Sequence, residues 1–84
     1  MNFHVDARFV EGRDPGPEMA AEVQRVRELR DAGIIKQLIR RLDDTGAYLV
    51  IEAPDDAALK AALDSLPFSK SGTMTFAVDA VEVL

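Results

Sequence analysis

The sequence predicts one α+β domain, spanning residues 1–84, whose elements follow the order βαββαβ. Three observations lead to this prediction. Apolar residues alternate with period two at both ends of the chain, two segments have the helical spacing of apolar residues, and Gly, Pro and Asp cluster between these segments. A chain of 84 residues is long enough for one hydrophobic core, near the lower limit of what such a core stabilises alone.

The first two predicted elements are a strand and a helix. Residues 2–10 indicate a strand, because every second residue from Phe3 to Phe9 is apolar. After a loop rich in Gly and Pro, Pro17 favours the first turn of a helix. Gly33 ends this helix, since glycine adopts the left-handed conformation that closes helices at little cost.

A β-hairpin and a second helix follow. Residues 34–42 and 47–53 are rich in residues that favour strands, and the turn sequence between them predicts a hairpin. Two aspartates then provide a helix cap, residues 57–66 place alanine and leucine on one side of a helix, and Pro67 ends it.

The last segment predicts a polar loop over residues 69–72 and a fourth strand over residues 73–84, which reaches the C-terminus. This order is the split βαβ pattern of ferredoxin-like domains, in which a four-stranded antiparallel sheet carries two helices on one face. The other face is then bare. We expect it to include His4, Asp6, Thr75, Val81 and Val83. Because a small domain gains stability by burying such a face, we predict a homodimer or larger homo-oligomer whose sheets meet and form a dimeric α/β barrel.

Composition narrows the function classes. The formal net charge of −5 and the few aromatic residues argue against a nucleic-acid partner. The absence of cysteine excludes disulfides and thiolate chemistry, and a single histidine in no ligand-like spacing predicts no zinc or haem site. The first residues lack the basic and apolar regions of a secretory signal, so we expect a cytoplasmic protein without a membrane partner.

Glu22 is the carboxylate best placed for chemistry. The predicted first helix, read from Met19 at helical spacing, has an apolar ridge formed by Val23, Val26, Leu29 and Ala32, and Glu22 lies beside it, one turn from Val26. A carboxylate partly shielded from water has a raised pKa, which suits it to proton transfer near neutral pH. The alternative is that Glu22 extends to water beside the apolar stripe and has no chemical role.

Several segments resemble the muconolactone Δ-isomerase family. They are residues 32–40 (AGIIKQLIR), 47–53 (AYLVIEA), 55–59 (DDAAL) and 63–68 (LDSLPF), together with the opening strand. The ending of the second helix is the most specific of them, and the similarity extends over nearly the whole chain. The resemblance implies a small dimeric α/β-barrel protein of aromatic compound catabolism that moves a proton within an unsaturated lactone, without cofactor or metal.

The resemblance also implies roles for particular residues. The family's proton-transferring glutamate corresponds to Glu22, and an arginine at the end of the second strand corresponds to Arg40. The fixed fork of donors on Arg40 suits a substrate carboxylate or an enolate oxygen, although a solvated residue or a dimer salt bridge explains it equally well. We further expect Lys36, on the same strand face as Arg40, together with Tyr48 and Val26, to contact the substrate.

Other positions depart from the family pattern. Asp44 and Ala47 stand where the family has polar pocket residues, and Ile35, Gln37 and Ile39 replace aromatic residues and a histidine. These changes suit a bulkier or more apolar substrate than muconolactone.

Three function classes therefore stay open at the level of sequence. The first is an isomerase or cyclase that uses Glu22 as base, with Arg40 or Tyr48 stabilising the enolate. The second is a cofactor-free oxygenase acting on an aromatic or polyketide-like molecule. The third is a dimer that binds a small molecule without catalysis.

Overall fold

The computed structural model describes residues 1–84 and shows a four-stranded antiparallel sheet in the order β2-β3-β1-β4. The helices pack on one face of this sheet, which confirms the ferredoxin-like fold predicted from the sequence. The elements are β1 (Asn2–Phe9), α1 (Met19–Asp31), β2 (Ile35–Arg40), β3 (Gly46–Glu52), α2 (Asp56–Asp64), α3 (Pro67–Lys70) and β4 (Met74–Val81).

The core lies between the sheet and the helices. β1 is central and pairs with both β3 and β4, so that Val5 lies opposite Leu49 on one side and Val78 on the other. Alternate residues of β1 are fully buried, as the period-two pattern predicts. The buried cluster consists of Phe3, Val5, Ala7, Leu29, Ile35, Leu49, Ile51, Ala53, Leu59, Leu63 and Leu66.

Two element boundaries differ from the prediction. Pro67 not only follows α2 but also begins α3, so Ser69 and Lys70, expected in a loop, are helical. Proline is favourable at the first position of a helix because it needs no N–H there. β4 ends at Val81, opposite Asn2 at the start of β1, so the last three residues have no strand to pair with. The prediction that the fourth strand reaches the C-terminus was wrong.

The second face of the sheet carries no helix. The strand register places His4, Asp6, Thr75 and Val81 on this open face, as expected, since their neighbours in sequence point into the core. Tyr48 also lies there, with its ring centroid 5.4 Å from that of His4. None of the helices is both long enough and apolar enough to cross a lipid bilayer.

Candidate functional site

The buried stripe of α1 contains a carboxylate. One turn of 3₁₀ helix leads into α1, and the fully buried residues of α1 are Glu22 and Leu29, with Val26 half-buried between them. Val23, expected in the apolar ridge, has 48% of its surface exposed, whereas Glu22 has only 7%. The helix is thus rotated relative to the predicted ridge, and Glu22 lies within the buried stripe instead of beside it.

A backbone amide fixes one oxygen of Glu22. The N–H of Phe68, at the second position of α3, donates a hydrogen bond to Glu22 Oε1 at 2.9 Å. Glu22 Oε2 accepts no hydrogen bond from the protein, yet no fully buried side-chain oxygen of the chain lacks a partner. Oε2 must therefore reach the surface of an adjoining groove, where a ligand can approach it.

Burial raises the pKa of the Glu22 carboxyl above its ordinary value. The hydrogen bond from Phe68 acts in the opposite direction, because it stabilises the charged form, and the nearby carboxylate of Glu18 raises the pKa further. Desolvation is the largest of these effects. A carboxyl group in this state can both take up and release a proton closer to neutral pH than an exposed glutamate.

The groove beside Glu22 lies between α1 and the edge strand β2 and has a volume of about 550 Å³. We call it the Glu22 groove. Such a volume accommodates a small organic molecule. The groove is lined by Glu22, Val23, Val26, Arg27, Arg30 and Asp31 of α1 and by Leu38 of β2.

Two arginines give the Glu22 groove positive charge near its acid. Arg27 and Arg30 are exposed and form neither a hydrogen bond nor an ion pair with another side chain, although Asp31 lines the same groove. Their guanidinium groups are thus available to an anionic part of a ligand. The groove combines a buried carboxyl group, an apolar wall of two valines and a leucine, and two arginines.

Arg40 lines a second groove, of about 390 Å³, together with Met19, Asp44, Ala47 and other residues. We call it the Arg40 groove. Met19 precedes Glu22 by one helical turn, and Arg40 follows Leu38 by two residues on the same strand face, so the two grooves lie one after the other along the space between α1 and β2. Arg40 Nη2 donates to Asp44 Oδ1 at 2.6 Å, and its side chain is 77% exposed.

Lys36 and Tyr48 are not brought to the Glu22 groove. A β-bulge lies between Ile35 and Gln37, where the register leaves Lys36 without a partner on β3, and this extra residue reverses the alternation of β2. The expectation that Lys36 shares a face with Arg40 was therefore wrong. Lys36 instead pairs with Glu52 at 3.1 Å.

Tyr48 lies on the open face, where its hydroxyl accepts a hydrogen bond from Arg41 Nη1 at 2.6 Å. The Arg41 guanidinium also lies 5.1 Å from the centre of the Tyr48 ring, and only 15% of the Arg41 side chain is exposed. The structure therefore brings together Glu22 and Val26 from the predicted set, places Arg40 in the neighbouring groove, and leaves Lys36 and Tyr48 outside both.

Sequence reasoning missed Phe68, Arg27 and Arg30. Pro67 does mark a helix start, whose free N–H groups attract a carboxylate. Nothing in the sequence indicates which carboxylate, because Phe68 and Glu22 are 46 positions apart. From the sequence alone, Arg27 and Arg30 look like solvated surface residues, because their place beside the groove depends on the rotation of α1 about its axis.

Comparisons with known proteins show the family and the fold of this chain. The sequence profile described as muconolactone delta-isomerase matches residues 1–83. The chain belongs to this family. A crystal structure of muconolactone isomerase superposes with a TM-score of 0.79 at 27% identity, covering 96% of this chain and 88% of that one.

A second solved structure has the same fold. It is 5-chloro-2-hydroxyhydroquinone dehydrochlorinase (TftG) from Burkholderia phenoliruptrix AC1100, in complex with 2,5-dihydroxybenzoquinone. It superposes with a TM-score of 0.80 at 20% identity, covering 98% of this chain and 94% of that one. No curated protein matched the sequence significantly. The family membership and the two structures support a fold that carries small-molecule catalysis, with more than one activity among its relatives.

Proposed function

We propose that this protein is a cofactor-independent isomerase that moves a proton within an unsaturated lactone or a related small carbonyl compound. The observation that carries the proposal is the state of Glu22: a buried carboxyl with one oxygen fixed by Phe68 and the other facing a groove of ligand size. Membership of the muconolactone delta-isomerase family supports the same reaction class.

The proposed reaction has two steps. In the first, ionised Glu22 removes through Oε2 a proton from the carbon next to the carbonyl group, or from the carbon at the far end of a double bond conjugated with it, and the electrons of the broken C–H bond delocalise onto the carbonyl oxygen to give an enolate. In the second, protonated Glu22 returns that proton to a different carbon of the conjugated system. The double bond shifts, the carbonyl is restored, and Glu22 is again a carboxylate, so no other reactant is consumed.

The groove residues have matching roles. Val23, Val26 and Leu38 offer an apolar wall for the carbon skeleton. Arg27 and Arg30 hold an anionic group or the developing enolate oxygen, which keeps the reacting carbon in front of Glu22. Arg40 binds the distal end of a substrate that extends past Met19 into the Arg40 groove. Lys36 and Tyr48 have no part in this proposal because they line neither groove.

Replacing Glu22 by Gln tests the proposal. Gln keeps an oxygen for the Phe68 N–H but cannot accept a proton from carbon, so we expect exchange of substrate C–H into D₂O, followed by NMR, to fall at least about 1,000-fold. Glu28→Gln is the matched control, because Glu28 lies on the same helix and is exposed in an ion pair with Arg25. Muconolactone and more apolar unsaturated lactones serve as substrates.

Two outcomes would overturn the proposal. If Glu22→Gln exchanges protons as fast as the Glu28→Gln control, Glu22 is not the base. If the unmodified protein binds these lactones without exchanging their protons, the protein is a binding module and not an isomerase.

We also propose that the protein is a homodimer whose two open faces meet. The helices cover one side of the sheet only, and the open face includes half-buried side chains such as Tyr48 and Val50 in addition to charged ones. A second copy would cover both faces by the same self-complementary contact.

A further inference from the structure

We propose that Glu18, anchored by Thr73, is a positioning residue that controls the protonation of Glu22. This inference rests on the proposed function, since it concerns the same acid–base group. It adds to the site a second carboxylate, which does not itself line the Glu22 groove.

A single short segment of the chain holds both carboxylates. The N–H of Phe68 donates to Glu22 Oε1 at 2.9 Å, and the hydroxyl of Thr73 donates to Glu18 Oε1 at 3.2 Å. The segment is itself closed by a hydrogen bond from the Thr73 N–H to the Phe68 carbonyl at 3.0 Å. Thr73 is 3% exposed and Glu18 is half-exposed, so this anchor is partly buried.

Glu18 and Glu22 are one helical turn apart, which brings the Cβ atoms of an i,i+4 pair to about 5–6 Å. Neither takes part in an ion pair. Two negative charges at this spacing repel each other, and the repulsion favours the neutral form of the carboxyl group whose charged form is less well solvated.

The two environments make the pair unequal. Glu18 is half-exposed and accepts the Thr73 hydroxyl hydrogen bond. The Thr73 hydroxyl donates its proton to Glu18. In the hydrogen bond of 2.7 Å between the two hydroxyl groups Ser71 is therefore the donor, and it orients the Thr73 hydroxyl. Glu22 is more deeply buried, which favours its neutral form, and the charge of Glu18 acts in the same direction on the pKa of Glu22.

Among the charged groups around Glu22, only the Glu18 carboxylate contributes to the raised pKa of Glu22. The elements packed against α1 are the preceding 3₁₀ turn, β2 and α3. On β2, Lys36 and Arg40 are paired with Glu52 and Asp44, and on α3 Lys70 is exposed. The remaining charged side chains are Arg27, Arg30 and Asp31, which line the groove, and Arg25, which is bound to Ser65 and Glu28.

The pH dependence of proton exchange tests the inference. For Glu18→Gln we expect the acidic limb of the kcat/KM profile to move to lower pH, raising kcat/KM on that limb about threefold or more, because Glu22 then ionises more readily. At high pH, where Glu22 is ionised in both proteins, the rates should agree. Thr73→Val should move the limb in the same direction by freeing Glu18, and Thr73→Ser should restore it.

A second measurement does not depend on activity. Titration of the ¹³C-labelled glutamate side chains by NMR reports the ionisation of Glu22 directly, and its midpoint should fall in Glu18→Gln and stay unchanged in the control Glu28→Gln. An unmoved Glu22 titration in Glu18→Gln would overturn the inference. A Glu22→Gln protein that still exchanges protons would instead overturn the proposed function, while the NMR titration would still decide whether Glu18 controls Glu22.

Discussion

The carboxylate of Glu22 and the backbone N–H of Phe68 form a buried hydrogen bond of 2.9 Å between residues 46 positions apart. This bond joins the first turn of α1 to the first turn of α3 and leaves the second carboxylate oxygen free to face the Glu22 groove. A buried carboxylate without a partner lowers stability. The hydrogen bond from Phe68 offsets part of this cost and fixes the orientation of the Glu22 carboxyl group.

Glu22 should make the protein less stable as the pH rises. Because burial raises its pKa in the folded state, the folded protein binds this proton more tightly than the unfolded chain, and the free energy of unfolding falls as the pH rises between the two pKa values. Glu22→Gln lacks this fall and keeps an oxygen for Phe68. Urea unfolding from about pH 4 to about pH 8 should show the variant gaining stability relative to the wild type.

Glu28→Gln is the control for this experiment and should keep the wild-type slope, because the Glu28 side chain is half exposed. All proteins are compared at one concentration, since assembly also affects stability. A constant difference between Glu22→Gln and wild type at every pH would contradict the assignment of a raised pKa.

Arg40 should contribute to substrate binding more than to chemistry. Arg40→Gln removes a charge-assisted hydrogen bond, so we expect KM to rise about tenfold with kcat little changed. Asp44→Asn should lower KM, because it frees the guanidinium that Asp44 now binds at 2.6 Å. Asn also tolerates the positive φ of 61° at this position. Steady-state kinetics measure KM and kcat of both variants. An unchanged KM in both would show that Arg40 does not contact the substrate.

Gly46 should be essential to the hairpin. A Cβ atom at this position would lie 1.9 Å from the Ala7 carbonyl oxygen, which is backbone and cannot move aside, and the φ of Gly46 is +152°. We expect Gly46→Ala to lower the free energy of unfolding by at least about 3 kcal/mol, from steric overlap and backbone strain together.

Gly12→Ala provides the comparison. Gly12 has a φ of +84° but nothing lies within 4 Å of an added Cβ atom, so backbone strain alone should cost roughly 1–2 kcal/mol. Urea unfolding measures both variants. If both variants lose the same free energy of unfolding, steric overlap with the Ala7 carbonyl oxygen does not contribute to the loss in Gly46→Ala.

The open face should be the dimer interface. Val50 lies opposite His4 within this face, and Val50→Glu would place two unpaired charges at the contact of two identical copies. We expect the dissociation constant of the dimer, measured by sedimentation, to rise at least about tenfold. Ala57→Glu on exposed α2 is the control and should assemble normally. A Val50→Glu protein that assembles like wild type would place the interface elsewhere.

The sequence by itself determined the order of elements and most of the buried faces. The alternation around Val5 and the capping of α2 by Asp55, whose side chain accepts from the Ala58 N–H at 2.8 Å, are local patterns. Such patterns can be read from the sequence because the alternation of side chains along a strand and the capping of a helix depend only on residues a few positions apart. Glu22 could be predicted as a site residue for the same reason, because its position relative to the apolar residues of one helix is a local pattern.

Only the tertiary structure decided the composition of the site. Three features of the site depend on how distant elements pack. A bulge turns Lys36 away from Arg40, and the rotation of α1 buries Glu22 in place of Val23. The third feature is the hydrogen bond between Glu22 and Phe68. Strand register and helix rotation are fixed by the fit of the whole core, and a hydrogen bond between distant residues forms only after that fit is reached. No local sequence pattern carries that information.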